Sequence, residues 1–256
     1  MNPPSGQTLS ASAGGAVVGT VRVLSHFPVK STAGESLSRA AVGHRGLRYD
    51  REWAAYTADG GIASGKTTRR FRKVEGLMSW RATVSVAASA ATDALPLLHS
   101  PEGDTYPVDD PAAAEALSRA VGQPLTLRRE TTVRHHDECG VHLVTTSSIR
   151  RVEQIVGGRL DARRLRANVV IDTEGTGFLE DAWVDAELAV GPEVVLRLGP
   201  GMPRCVMVDQ PQADVPVGPP VLLALGRAHD VLLGLQAHVI RTGTITLGDE
   251  ARLTLR

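Results

Sequence analysis

The apolar residues of this chain fall mostly in short, β-branched runs separated by turn residues, and only twice at helical spacing. Val17 to Leu24 is one such run. Glu52-Trp53-Ala54-Ala55-Tyr56 is another, and Asp59-Gly60 behind it is a strong hairpin dipeptide. Leu95–Leu97 and Thr105-Tyr106-Pro107 flank a turn at Glu102-Gly103-Asp104. Asp110-Pro111 then opens a helix, because Asp caps the free amides and Pro suits a first turn. That helix stops near Gly122-Gln123-Pro124. A second helix follows the strand Val141–Val144. Ser147 or Ser148 caps it, Ile149, Val152, Ile155 and Val156 form its apolar face, and Gly157-Gly158 ends it. Further strands are expected at Val169–Ile171, Val194–Leu198, Ala237–Ile240, Thr244–Thr246 and Ala251–Leu255, with a Pro-rich surface loop at Gln210–Pro220. Regular strand–helix alternation is missing. The pattern therefore predicts a mostly β, α+β fold of barrel-like sheets with a few helices, not a doubly wound sheet.

Composition narrows the classes. A chain of 256 residues suits one large domain or two small ones. With 42% hydrophobic and 22% charged residues a packed core is attainable, and with 4% aromatics Ala, Val and Leu must fill most of it. Lys+Arg and Asp+Glu each number 28, so the net charge of zero argues against a non-specific nucleic-acid binder. No run of about 18 apolar residues predicts a transmembrane helix. Met1–Ala16 is rich in Gly, Ser, Pro and Ala and has neither a basic start nor an apolar stretch. It is expected to be a disordered tail on a cytoplasmic protein, not a signal peptide. Cys139 and Cys205 lie far apart, which excludes a disulfide-stapled scaffold and a zinc ribbon.

Some motifs mislead. Gly60 to Thr67 fits the phosphate-loop pattern GxxxxGK[ST]. It begins on a hairpin dipeptide, and basic Thr68–Lys73 follows where a phosphate-loop helix needs an apolar face. A hairpin loop carrying Lys66 is the better reading. His136-x-x-Cys139-x-x-His142 offers three zinc-type ligands but no fourth. The basic stretch Arg69–Lys73 has no stacking aromatic besides Phe71 and reads as a solvated or pocket-edge face, not a nucleic-acid site.

Several segments carry a family resemblance over roughly Val17 to the C-terminus. They are Phe27-Pro28-Val29-Lys30-Ser31 with Gly46-Leu47-Arg48-Tyr49-Asp50-Arg51-Glu52-Trp53; His136-Asp137-Glu138 with Val141–Ile149; Arg164-Leu165-Arg166-Ala167-Asn168; Phe178-Leu179-Glu180-Asp181-Ala182-Trp183; and Met202-Pro203-Arg204-Cys205. Together they resemble the MOSC family, named after the C-terminus of molybdenum-cofactor sulfurase, joined to that family's N-terminal β-barrel partner. Relatives include the mitochondrial amidoxime-reducing component and bacterial reductases of N-hydroxylated bases. The resemblance implies a tail over 1–16, a β-barrel domain over 17–110 and a MOSC domain over 111–256, with the molybdenum cofactor in the cleft between the domains.

By the same resemblance Lys30, Ser31 and Arg51 contact the molybdopterin. Arg166 and Asn168 take its phosphate and pterin edge, although Leu165 and Ala167 replace the family's Phe and Pro. Cys205 is the molybdenum ligand or, in a sulfur-transfer reading, the bearer of a persulfide. A thiolate suits a soft metal site, and Arg204 favours its ionisation. The strand-to-helix turn at Thr145, Thr146 and Ser147 is expected to seat an anion on its free amides and hydroxyls; the plain alternative is an ordinary helix cap. Trp183 is read as core packing, the role of Asp209 is left open, and Arg241 is placed as a residue able to face the site. The implied activity is reduction of a small N-hydroxylated or N-oxygenated substrate, with separate electron-donor redox proteins, since no flavin, haem or iron–sulfur motif is present. The alternatives are sulfur transfer through Cys205 and a non-catalytic cofactor-binding module.

Overall fold

The computed structural model describes residues 15–84 and 94–255, so the expected tail lies, up to residue 14, outside the described residues. In chain order the elements are β1 (Ala16–His26), β2 (Glu35–Leu37), β3 (Arg39–Gly43), β4 (Gly46–Leu47), β5 (Trp53–Thr57), β6 (Ile62–Ser64), β7 (Phe71–Lys73), β8 (Arg81–Thr83), β9 (Leu97–His99), β10 (Thr105–Pro107), α1 (Pro111–Val121), β11 (Leu125–Arg129), β12 (Val141–Thr145), α2 (Thr146–Val156), β13 (Val169–Asp172), β14 (Glu187–Val190), β15 (Val194–Pro203), α3 (Leu222–Ala228), β16 (Leu232–Arg241), β17 (Gly243–Thr246) and β18 (Glu250–Thr254). The fold is mostly β with a few helices, as the pattern predicts. No helix among the described residues is long and apolar enough to cross a membrane.

The largest sheet runs β13-β12-β16-β15-β14-β18-β1-β2, and β13 also pairs with β1, which closes seven strands into a barrel. Six of those strands come from the second half of the chain. β1, from the start, is the seventh: it pairs antiparallel with β18 on one side and β13 on the other. β11 crosses in the opposite sense, extending the sheet β11-β5-β6-β7 of the first half. β17 likewise pairs with β3. Strand pairing thus passes in both directions over the expected boundary at residue 110.

The strand periods explain the layers. In β15, Val194, Leu196 and Leu198 point into the barrel and join Val21, Leu24, Leu188 and Trp183 there. β12 is buried at every position, because Val141 and Leu143 face the barrel interior while Val144 faces a second core under α2 and α3. A third core, around Val29, Leu77, Trp80, Leu98 and Leu117, fills the first half. Trp183 is core, as read from the sequence.

Two local expectations shift. The cap of α2 is Thr145, whose hydroxyl accepts from the Ser148 amide at 3.1 Å, not Ser147 or Ser148. The strand expected at Leu95–Leu97 forms two residues later, at Leu97–His99. The phosphate-loop look-alike is β6 with its flanking turns; β6 pairs with β5 and β7, and no helix follows Lys66.

Closure of the barrel depends on a close approach at Gly19. A Cβ there would lie 2.0 Å from the Asp172 carbonyl oxygen across the β1–β13 seam. A Cβ at Gly43, in β3, would meet nothing within 4 Å. Gly19→Ala is therefore expected to lose about 1–3 kcal/mol of stability by overpacking, and Gly43→Ala less than about 0.5 kcal/mol. Thermal unfolding of the two variants beside the wild type checks this; equal midpoints would show that the seam relaxes freely.

Candidate functional site

A cleft between the two halves of the chain is lined from the first half by Lys30, Ser31, Arg51, Ser64 and Lys66. From the second half it takes His136, Asp137, Glu138, Cys139, His142, Leu165, Arg166, Asn168, Met202, Pro203, Arg204, Cys205 and Met207. Five cationic side chains face two carboxylates, an excess of three positive charges with the histidines neutral. Such a cleft concentrates anions.

The backbone holds these residues in unusual positions. Ser31, Arg51 and Arg166 have φ of 65°, 52° and 52°, left-handed values that side chains other than glycine rarely adopt. Each makes a long-range bond: Ser31 Oγ to the Ser64 hydroxyl at 3.3 Å, the Arg51 amide to the Phe27 carbonyl at 2.8 Å, and the Arg166 guanidinium to the Thr32 carbonyl. The buried Asp50 carboxylate gathers three segments: it accepts from the Phe27 amide at 2.8 Å, from His136 Nε2 at 3.1 Å and from the Arg51 guanidinium. Burial alone would push the Asp50 carboxyl up, but Arg51 and His136 hold it well below the usual carboxylate range.

The cations share their neutralisation with carbonyls and aromatic faces. Arg166 donates to the Thr32 carbonyl at 2.8 Å and lies 4.2 Å over the Phe27 ring, with Arg51 at 4.8 Å from the same ring. Lys30 and Lys66 lie 4.4 and 5.4 Å from the Phe71 ring centre. Burial lowers Lys30 to about 8, Arg166 to about 9 and Arg204 to about 10. Arg204 donates to the Leu165 carbonyl at 2.6 Å, while its buried Nε has no protein acceptor. Asn168 straps the halves together: its Oδ1 accepts from the His142 amide at 3.0 Å and its Nδ2 donates to the Ser25 carbonyl at 3.2 Å.

Cys205 is half-buried at the end of β15 and opens a short 3-10 turn, Val206–Asp209. The turn is anchored by Asp209, which accepts from the Val221 and Leu222 amides at 2.7 and 3.0 Å and from Arg164 at 2.9 Å. Arg164 also donates to the Val208 and Pro219 carbonyls. Asp209 therefore supports the cysteine turn, and Arg164, the first residue of the Arg164–Asn168 segment, does the same. The Cys205 side chain electrostatically favours the charged forms of both Lys66 and Arg204.

The structure brings Lys30, Ser31, Arg51, Arg166, Asn168, Arg204 and Cys205 to this one cleft. It does not bring Thr145, Thr146 and Ser147 there. The end of α2 is filled from within: buried Glu180 accepts from the Thr145 and Ser148 hydroxyls at 2.6 and 2.5 Å and from the Thr145 amide at 3.3 Å. Thr146 donates to Asp172 at 2.9 Å and Ser147 to the Gly177 carbonyl at 2.9 Å. An internal carboxylate thus takes the expected anion seat. Arg241 bonds the Glu193 and Pro192 carbonyls on an exposed edge instead of facing the cleft.

Sequence reasoning missed Lys66, Asp137, Ser64, Met207 and the fact that the second thiol, Cys139, lines the same cleft. Lys66 was visible only inside the misleading phosphate-loop pattern. His136, Cys139 and His142 are engaged separately, with Asp50, with the Val141 carbonyl and with the Leu233 carbonyl. Among the described residues no group of three or more His, Cys, Asp or Glu is placed to hold a metal ion.

Comparison with known proteins follows the same division. Residues 130–252 match the MOSC domain and residues 18–106 match the MOSC N-terminal beta barrel domain. No curated protein matches. Among solved structures, the YuaD protein from Bacillus subtilis is 12% identical over 92% of this chain and 95% of that chain, with a TM-score of 0.49. YiiM from Geobacillus stearothermophilus is 14% identical over 46% of this chain and 55% of that chain, with a TM-score of 0.34.

Buried His135 ties the cleft to pH. Its Nδ1 lies 3.0 Å from the Arg51 carbonyl, which only accepts, so Nδ1 carries the proton. Nε2, 3.0 Å from the Tyr56 hydroxyl, is then the acceptor. Burial lowers His135 to about 4. The unfolded chain, with His near 6.5, binds more protons between those values, so stability falls as pH drops from about 6.5 to about 4. Urea unfolding should show a loss of about 2–3 kcal/mol over that window, and His135→Gln should show a smaller one. Identical slopes would remove His135 from this linkage.

Proposed function

This chain belongs to the MOSC family, and from that membership and its cleft we infer a molybdenum-cofactor oxidoreductase acting on small N-hydroxylated or N-oxygenated molecules. The observation that carries the reading is Cys205, half-buried in a cleft with three excess positive charges, beside Arg204, whose buried Nε has no protein acceptor. A pterin dithiolene with a phosphate tail is anionic and rich in hydrogen-bonding atoms. It fits a donor set of lysines, arginines and one thiol.

In this reading Lys30, Arg51, Arg166 and Arg204 bind the phosphate and pterin edge, Ser31 adds a hydroxyl, and Cys205 ligates the metal. Asn168 works at one remove, since its amide is spent on strapping the segments that carry the arginines. The bound cofactor supplies the two-electron redox chemistry. The overall reaction, R₂N–OH + 2 e⁻ + 2 H⁺ → R₂N–H + H₂O, breaks the N–O bond and takes its electrons from a separate redox protein. Lys66 contributes charge next to Cys205. Burial works against its ammonium, but Asp137 and Cys205 raise its pKa, so it keeps its proton. His142 donates from Nε2 to the Leu233 carbonyl, which leaves Nδ1, 3.5 Å from Arg204, as a neutral acceptor steadying that guanidinium.

Protein made in a host that synthesises the cofactor is expected to carry near-stoichiometric molybdenum and pterin by elemental analysis and pterin fluorescence. Cys205→Ala should fold and lose about 100-fold or more of N-hydroxy reduction, about 2.7 kcal/mol of barrier. Full activity in that variant would refute the assigned role. Arg166→Ala should retain less pterin at unchanged fold; equal content would count against its phosphate contact. Metal-free protein with a reducible gain of one sulfur in its mass would favour sulfur transfer instead.

A further inference from the structure

Asp137 uses both of its carboxylate oxygens inside the cleft. Oδ1 accepts from the Lys30 ammonium, and Oδ2 accepts from the Lys66 ammonium at 2.6 Å. The two lysines come from separate segments of the first half: Lys30 follows Val29, which bridges to Trp53, and Lys66 sits between β6 and β7. Asp137 comes from the irregular segment between β11 and β12, in the second half. Its side chain is 31% exposed, against 6% for Lys30 and 20% for Lys66. The carboxylate therefore enters from the solvent side and bridges two more deeply set cations.

We propose that Asp137 is a built-in competitor for the anionic group this cleft binds: it neutralises Lys30 and Lys66 in the ligand-free protein and leaves them when a phosphate group takes its place. The buried Lys30 ammonium and the partly buried Lys66 ammonium left unpaired would be destabilising, so the ligand-free cleft needs an internal anion. A phosphate outmatches that anion, with close to two negative charges and three acceptor oxygens near neutral pH. The unpartnered Arg204 Nε on the same wall gives an incoming anion a donor that Asp137 leaves unused. The displaced carboxylate moves toward solvent, which it already meets in part. His136, next in the chain, stays anchored on Asp50 at 3.1 Å and limits the movement to the segment beyond it. The exchange sets the affinity of the site: Asp137 stabilises the empty cleft and weakens every anion that enters. The proposal rests on the oxidoreductase reading only for the ligand's being a phosphate-bearing anion.

The probe is inorganic phosphate, titrated calorimetrically at low ionic strength into the full cofactor-free chain. Asp137→Asn is expected to bind it at least about tenfold more tightly than wild type, about 1.4 kcal/mol. The gain should shrink in the double variant Asp137→Asn/Lys66→Met. Equal or weaker binding by folded Asp137→Asn would overturn the proposal and make the bridge purely structural. Should that variant not fold, hydrogen exchange of wild type decides. Saturating phosphate should speed exchange in residues 137–140 as Asp137 leaves, and unchanged or slower exchange there would overturn the proposal. Neither readout needs the molybdenum cofactor. A chain that shows the Asp137 effect yet takes up no molybdenum in a competent host would sink the oxidoreductase reading alone.

Discussion

Buried positive charge is the constraint around which this protein is organised. Lys30, Arg51, Lys66, Arg166 and Arg204 converge on one cleft, and none of them tolerates burial without a partner. Asp50 answers Arg51 and, through the Phe27 amide and His136, pins three segments at once. Asp137 answers both lysines. Phe27 and Phe71 present ring faces to cations, and the Thr32 and Leu165 carbonyls accept from Arg166 and Arg204. With Asp50, Asp137 and Glu138 set against the five cations, the compensation is incomplete by two charges and one buried guanidinium nitrogen, and that remainder is what a ligand can satisfy.

The topology follows from the need to hold those groups from both ends of the chain. Because β1 closes the barrel between β18 and β13, the segment Phe27–Ser31 emerges beside Arg166 and Asn168. Because β11 returns to pair with β5, the segment carrying His135 to Cys139 is delivered to Arg51 and Lys66. The cleft is thus held by strand pairing through both halves instead of by docking of two separate bodies. Left-handed backbone at Ser31, Arg51 and Arg166 costs about 1 kcal/mol or more at each. The surrounding bonds over-determine those conformations, as the contacts of Asp50 and His135 illustrate.

Carboxylates play two opposed parts. Glu180 closes the amide end of α2: it is buried and accepts three bonds from Thr145 and Ser148, while Thr146 and Ser147 are held by Asp172 and the Gly177 carbonyl. Asp137 sits at the solvent side of the cleft, where an exchange with a stronger anion is open to it. The difference is burial and not chemistry, so the residue types do not distinguish them.

What the sequence determined by itself was local or modular. Short β-branched runs and turn dipeptides specify strands because side chains alternate every two residues. Asp110-Pro111 specifies a helix start because the cap needs only its immediate neighbours, and Asp110 does accept from the Ala112 amide at 2.9 Å. Cys205, Arg204, Arg166, Arg51 and Lys30 stood out because they sit in short segments of recognisable pattern. The pairing of Lys66 with Asp137 did not, although Asp137 lies in one of those segments, because the ion pair joins residues 66 and 137 and nothing in either's neighbourhood names the other. The same holds for Glu180 at the end of α2 and for β1 against β13. Those pairings exist only once the barrel has closed, since they depend on which distant groups are desolvated together, and that is decided by tertiary structure.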